Sequence, residues 1–140
     1  MARVLTTRVL NQTRGNVVCE RAEVAANVLT RMRGLLGRAG LDEGSGMLFR
    51  GESSIHSAFM RFEFDVVFTD RELRVLKAVG PVKPWKAIGA KGARNVLELA
   101  AGEISRLGIE TGDQLVVENE RADAAGGRSD VEDDPADAGA

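Results

Sequence analysis

One histidine, one cysteine and a spread of carboxylates are the residues of this 140-residue chain that could do chemistry. His56 with Asp65 or Glu98 supplies the types needed for a general base and the group that orients it, provided folding brings them within hydrogen-bond reach. Spacing alone does not pair them, and either carboxylate stays open as the partner. Cys19 is a nucleophile by type, yet nothing beside it lowers a thiol pKa, so it reads as a small buried hydrophobe. A zinc site needs three or four converging donors, and His56 and Cys19 stand 37 positions apart, so no metal is expected. No cofactor is expected either. Gly34-Leu35-Leu36-Gly37 falls at the end of a helical pattern, and the run Gly40–Gly46 has no following lysine to make a phosphate loop.

The elements that must position these residues are those of one small domain. A chain of this length carries enough aliphatic residues for a single core without metal or disulfide staples. A lone cysteine cannot form an internal disulfide, which suits a reducing compartment. Arginines interrupt each apolar run of the N-terminal stretch, so neither a signal peptide nor a membrane-inserted helix is expected, and the default location is cytoplasmic. The net charge of −2 hides a division. Residues 1–117 hold 17 basic and 13 acidic side chains, whereas residues 118–140 hold two and eight. The reading is a mildly basic domain over 1–118 and an acidic tail over 119–140, too poor in apolar groups to offset its ordering entropy and therefore expected to be disordered.

Within the domain, strands are expected at Arg3–Leu10, Val17–Ala25 and Met47–Phe49. Phe62, Phe64, Val66 and Phe68 alternate with Glu63 and Asp65, the period of a strand with one dry face. A hairpin partner follows over Glu72–Val79. Pro81 and Pro84 argue for a loop through Gly80–Trp85, with Trp85 lying over a core edge. Further strands are expected at Arg94–Leu99 and Gln114–Val117. Val28, Leu29, Met32, Leu35 and Leu36 group on one side of a helix opening at Asn27, and Ala101–Leu107 reads as a short second helix closed by Gly108. The expected fold is thus α+β, a compact β-rich domain with one principal and one short helix, its strands mostly antiparallel or mixed.

The motifs GLLGR at Gly34–Arg38, GMLF at Gly46–Phe49, IHSAFM at Ile55–Met60, DVVF at Asp65–Phe68, VLELAAG at Val96–Gly102 and GIETGD at Gly108–Asp113 occur in that order. Together they resemble the DUF192 (UPF0127) family of small bacterial and archaeal proteins, over about Leu10–Val117. The resemblance implies a compact β-rich α+β domain and carries no established activity with it. Three positions depart from the family pattern: Ala58 stands for an aromatic, and Glu63 and Ala100 for prolines.

The functional expectation is a small non-enzymatic binding or accessory module. Its candidate ligand set is Arg33, His56, Met60 and Trp85, with the Arg33 guanidinium suited to a carboxylate-bearing ligand; a protein partner is the other possibility. A hydrolase using His56 with a carboxylate is the competing reading. A weak nucleic-acid binder is the third, disfavoured because the basic residues are scattered and the aromatics belong to an apolar strand face. A monomer is expected.

Overall fold

The computed structural model describes residues 4–25, 41–56, 62–118 and 121–123. The chain lays down β1 (Val4–Asn11) and β2 (Asn16–Ala25), then β3 (Ser45–Arg50), β4 (Ser54–His56), β5 (Phe64–Thr69), β6 (Val75–Val82), β7 (Ala87–Gly89) and β8 (Asn95–Ala100). The helix α1 (Glu103–Leu107), β9 (Leu115–Val117) and β10 (Arg121–Asp123) follow.

The main sheet runs β10-β1-β2-β3-β8-β5-β6, with β9 also on β1. β2 and β3 are parallel, and the other neighbours in this sheet are antiparallel. A bridge between Arg74 and Gln114 ties the start of β6 to the start of β9, which lies on β1. The path therefore returns to its beginning, and the sheet curls into a barrel with its own interior. Val9, Val18, Cys19, Ala22, Leu48, Val67, Leu97, Leu99 and Leu115 share that interior cluster. The outer face of β3, β5 and β8 carries a second cluster around Met47, Phe49, Phe64, Val66, Phe68 and Val96. Ile55 and Ile88 pack there from a separate two-stranded sheet of β4 and β7.

This two-sided burial corrects the expectation of one dry face. All six residues of β5 are buried, Asp65 and Thr69 included. A strand flanked by β6 and β8 and covered on both faces has no solvated side, so its polar residues must find partners inside.

The helix count is also corrected. Among the described residues there is one helix, α1, rather than a principal helix and a short second one. It occupies the expected second site and closes at Gly108, as expected. The helix expected from Asn27 falls on residues outside those described.

Two further expectations shift at their edges. β6 continues through Gly80 and Pro81 to Val82, where a loop was expected. Among the described residues it pairs there with β5 alone, so proline costs no second ladder, and the register slips opposite Asp65. A Cβ at Gly80 would lie 2.1 Å from Asp65 Oδ1, so glycine is what lets this strand pass. Arg121–Asp123, within the stretch read as tail, pairs with Val4–Thr6.

Candidate functional site

Glu98 stands at the centre of β8, directly opposite Met47 of β3 and Val66 of β5. Residues opposite one another across a ladder share a face, so its side chain emerges among the outer cluster to which Met47, Val66 and Ile55 belong. It is wholly buried. Neither Oε1 nor Oε2 has a hydrogen-bond partner among the described residues. Burial pushes its pKa from 4.5 to about 8, because an apolar surrounding disfavours the charged form. At neutral pH the group is chiefly a neutral carboxyl, offering one O–H donor and free acceptor capacity. A buried polar group left unpaired costs roughly 1–3 kcal/mol, and such a group in a native core calls for an explanation.

The predicted residues fall in different places around this face. His56 closes β4 and pairs with Ala87, one residue after Ile55, which packs in the same cluster as Met47 and Val66. Trp85 lies two residues before Ala87, at φ +67°, and is 64% exposed, so it is not the core lid expected of it. Asp65 sits opposite Leu99, which belongs to the barrel interior. Asp65 and Glu98 thus occupy neighbouring strands but opposite faces and do not form a dyad. Asp65 Oδ2 accepts the Ile104 N–H at 2.8 Å, capping a helix whose own N-cap residue, Gly102, has no side chain to do so. Arg33 and Met60 lie outside the described residues.

Cys19 is buried, donates weakly to the Gly44 carbonyl at 3.5 Å, and has its thiol pushed by burial to about 12. A thiol that stays protonated at neutral pH is no nucleophile. Gly46 crosses it closely: a Cβ there would meet Sγ at 3.1 Å and the Glu98 carbonyl at 2.6 Å. This explains in steric terms the glycine that opens GMLF. Among the described residues, no group of three His, Cys, Asp or Glu side chains is placed to hold a metal ion. Nor is any described helix long and apolar enough to cross a membrane.

Sequence reasoning overlooked a polar corner on the barrel side. Asp113 Oδ2 accepts from Asn11 Nδ2 at 2.9 Å, Arg14 Nε at 2.7 Å and the Glu110 N–H at 3.0 Å. Burial works to raise its pKa, but these three donors outweigh it and hold the carboxyl below the usual range. Its side-chain partners Asn11 and Arg14 are about a hundred positions away, so no local signal announced the cluster.

Comparison with known proteins now fixes the family. The sequence profile of DUF192, described as an uncharacterised ACR family, matches residues 9–117. The chain belongs to the DUF192 family. A UPF0127 protein of Thermococcus sibiricus is 33% identical over 81% of this chain and 77% of its own length. One from Pyrococcus furiosus is 30% identical over 76% and 94%. Two solved structures are similar in fold. A Sinorhizobium meliloti protein described as a candidate transcription regulator gives a TM-score of 0.69 at 25% identity, covering 83% of this chain and 94% of that one. A Novosphingobium aromaticivorans protein of unknown function gives 0.67 at 25%, covering 81% and 84%.

Proposed function

We propose that this DUF192 domain is a non-enzymatic binding module for a small carboxylate-bearing ligand, anchored at Glu98 on the outer face of β3, β5 and β8. The observation that carries the reading is the buried Glu98 carboxyl with both oxygens unpartnered among the described residues. A neutral carboxyl donates its O–H to a ligand carboxylate, a charge-assisted bond that is short and strong. Met47 and Val66 would then hold the ligand's apolar body. Arg33 would supply the countercharge, with His56, Met60 and Trp85 at the rim. The Sinorhizobium protein's description as a candidate regulator fits a module that senses a ligand. It adds little to a nucleic-acid reading here, because Arg8, Arg14 and Arg106 are each paired to carboxylates.

The raised Glu98 pKa also suits a general acid, so a hydrolase using His56 with Glu98 is the second reading. Asp65 leaves that reading, since its oxygen caps α1.

A thermal-shift screen of small carboxylic acids at pH 6 and pH 9 tests the proposal. A ligand at 100 times its Kd stabilises the fold by roughly 2.7 kcal/mol. The parent should respond at pH 6 and lose the response at pH 9, where ionised Glu98 repels the ligand. Glu98→Leu and Arg33→Ala should not respond at either pH. An undiminished response in Glu98→Leu would refute the anchor, and turnover of the bound acid would move the assignment to the hydrolase.

A further inference from the structure

A ligand carboxylate bound at Glu98 satisfies only half of that group. It accepts the O–H of the neutral carboxyl, and the other oxygen remains a carbonyl-type acceptor in need of a donor. Among the described residues none supplies one, since Oε1 and Oε2 are both buried and both without a hydrogen-bond partner. The cross-strand neighbours Met47 and Val66 carry no N–H or O–H in their side chains. The main-chain amides nearby are committed as well, because β8 is paired on one side with β3 and on the other with β5. The donor must come with the ligand.

The face that carries Glu98 is graded in size. Toward one end Val96 pairs with Phe49 and Phe68, and all three are wholly buried. Toward the other end the next side chains on the same face, two residues from Met47 and Glu98, are Ser45 and Ala100. Both are small and both are partly exposed, with Phe64 opposite Ala100 as the wall on the β5 side. Solvent is therefore nearest to the carboxyl on the Ser45 and Ala100 side, and the aromatic end limits how far an apolar body extends beyond it.

With Glu98 as the anchor of the binding module, on which this depends, we propose that the ligand is a 2-hydroxy acid with a short apolar chain, held by both Glu98 oxygens at once. The ligand carboxylate accepts the Glu98 O–H, and the ligand's 2-hydroxyl donates to the other Glu98 oxygen. The two bonds lie side by side, so recognition is bidentate. Related acids fit less well. An unsubstituted acid leaves the second oxygen unmet, and a 2-oxo acid sets an acceptor against an acceptor. A 2-amino acid supplies donors but brings an ammonium among Met47, Val66 and Ile55, where a further buried charge is costly.

NMR titration of the full-length chain at pH 6 tests this, with butanoate, each enantiomer of 2-hydroxybutanoate, 2-oxobutanoate and 2-aminobutanoate as probes. One enantiomer of 2-hydroxybutanoate should bind roughly tenfold more tightly than butanoate, the effect of one hydrogen bond to a buried acceptor otherwise left unmet. The 2-oxo acid should bind no better than butanoate. Glu98→Gln keeps a donor and an acceptor side by side and should keep the hydroxyl preference, whereas Glu98→Leu should abolish it. Equal binding of butanoate and 2-hydroxybutanoate, lost in Glu98→Leu, overturns the 2-hydroxy assignment and leaves Glu98 as the anchor. Tightest binding of the 2-oxo or the 2-amino acid overturns it in the same way. Binding undiminished in Glu98→Leu, or no binding of any probe, removes the anchor and the 2-hydroxy assignment together.

Discussion

Asp113, at the corner where the turn after β1 meets the approach to β9, draws three hydrogen bonds onto one oxygen. Glu98, at the middle of β8, draws none among the described residues. Both are acidic and both are buried, at 3% and 0% exposure. Their pKa values move in opposite directions, Asp113 down and Glu98 up. The difference is one of partners. A carboxylate supplied with an arginine, an amide and a backbone N–H is stabilised as an anion and ties the fold together. One whose cross-strand neighbours are a methionine and a valine, with no described hydrogen-bond partner, is stabilised as a neutral acid, and its unspent hydrogen-bonding capacity is what a ligand could use.

The sharpest way to break the contrast is to remove the lone carboxyl. A folded-state pKa of about 8 against 4.5 means that the folded chain holds a proton the unfolded chain has lost. Stability linked to Glu98 is fully present below about pH 4.5 and is lost as the pH rises through about 8. At about 1.4 kcal/mol per pH unit the total is of order 5 kcal/mol. Urea unfolding at pH 5, 7 and 9 should show Glu98→Gln and Glu98→Leu gaining on the parent as the pH rises, and leading it by several kcal/mol at pH 9. Parallel pH curves for parent and variants would mean that Glu98 has a charge partner after all, and the comparison with Asp113 would collapse.

The opposite corner should behave in the opposite sense. Asp113→Ala removes the acceptor shared by Asn11, Arg14 and Glu110 and leaves the buried Asn11 amide without it. The expected loss at pH 7 is about 3 kcal/mol. Because the folded-state pKa is depressed, this contribution is present above the ordinary aspartate range and disappears as the pH falls through the folded value. The gap between variant and parent should therefore narrow on acidification below the ordinary aspartate range. A gap that stays constant with pH would show that the corner works through shape rather than charge.

These two carboxylates also mark what the sequence could and could not reveal. The strands were legible because alternation is local: β5 and β8 lie within two residues of where their apolar pattern places them. Partnership is not local. Asp65 and Thr69 look like the wet face of a strand, and only the closure of β6 onto β9 and β1 turns that face inward. The leucine-glutamate-leucine run around Glu98 is the same string whether the glutamate is solvated or buried. Gly80 beside Pro81 looks like a loop signal, yet the strand continues because the absent Cβ leaves room for Asp65. The family motifs VLELAAG and GIETGD contain Glu98 and Asp113 without saying that one is satisfied and the other is not.

Asp65 lies between these extremes and offers the finest test. Its Oδ2 is occupied by the Ile104 N–H, while its buried Oδ1 has no hydrogen-bond partner among the described residues and faces the open side of Gly80. If occupancy of the oxygens sets the role of a buried carboxyl here, Asp65 acts as a structural cap and its loss costs no more than a cap is worth. Asp65→Ala should lower stability at pH 7 by about 1–2 kcal/mol, the range for removing a helix N-cap. The effect should be confined to α1. In hydrogen exchange the Ile104 amide should lose protection, while those of Val96 and Leu97 in β8 keep theirs. A loss well beyond that range, with β8 deprotected as well, would make Asp65 a strut between the two faces of the sheet. Glu98 would then no longer be separable from it as an independent site.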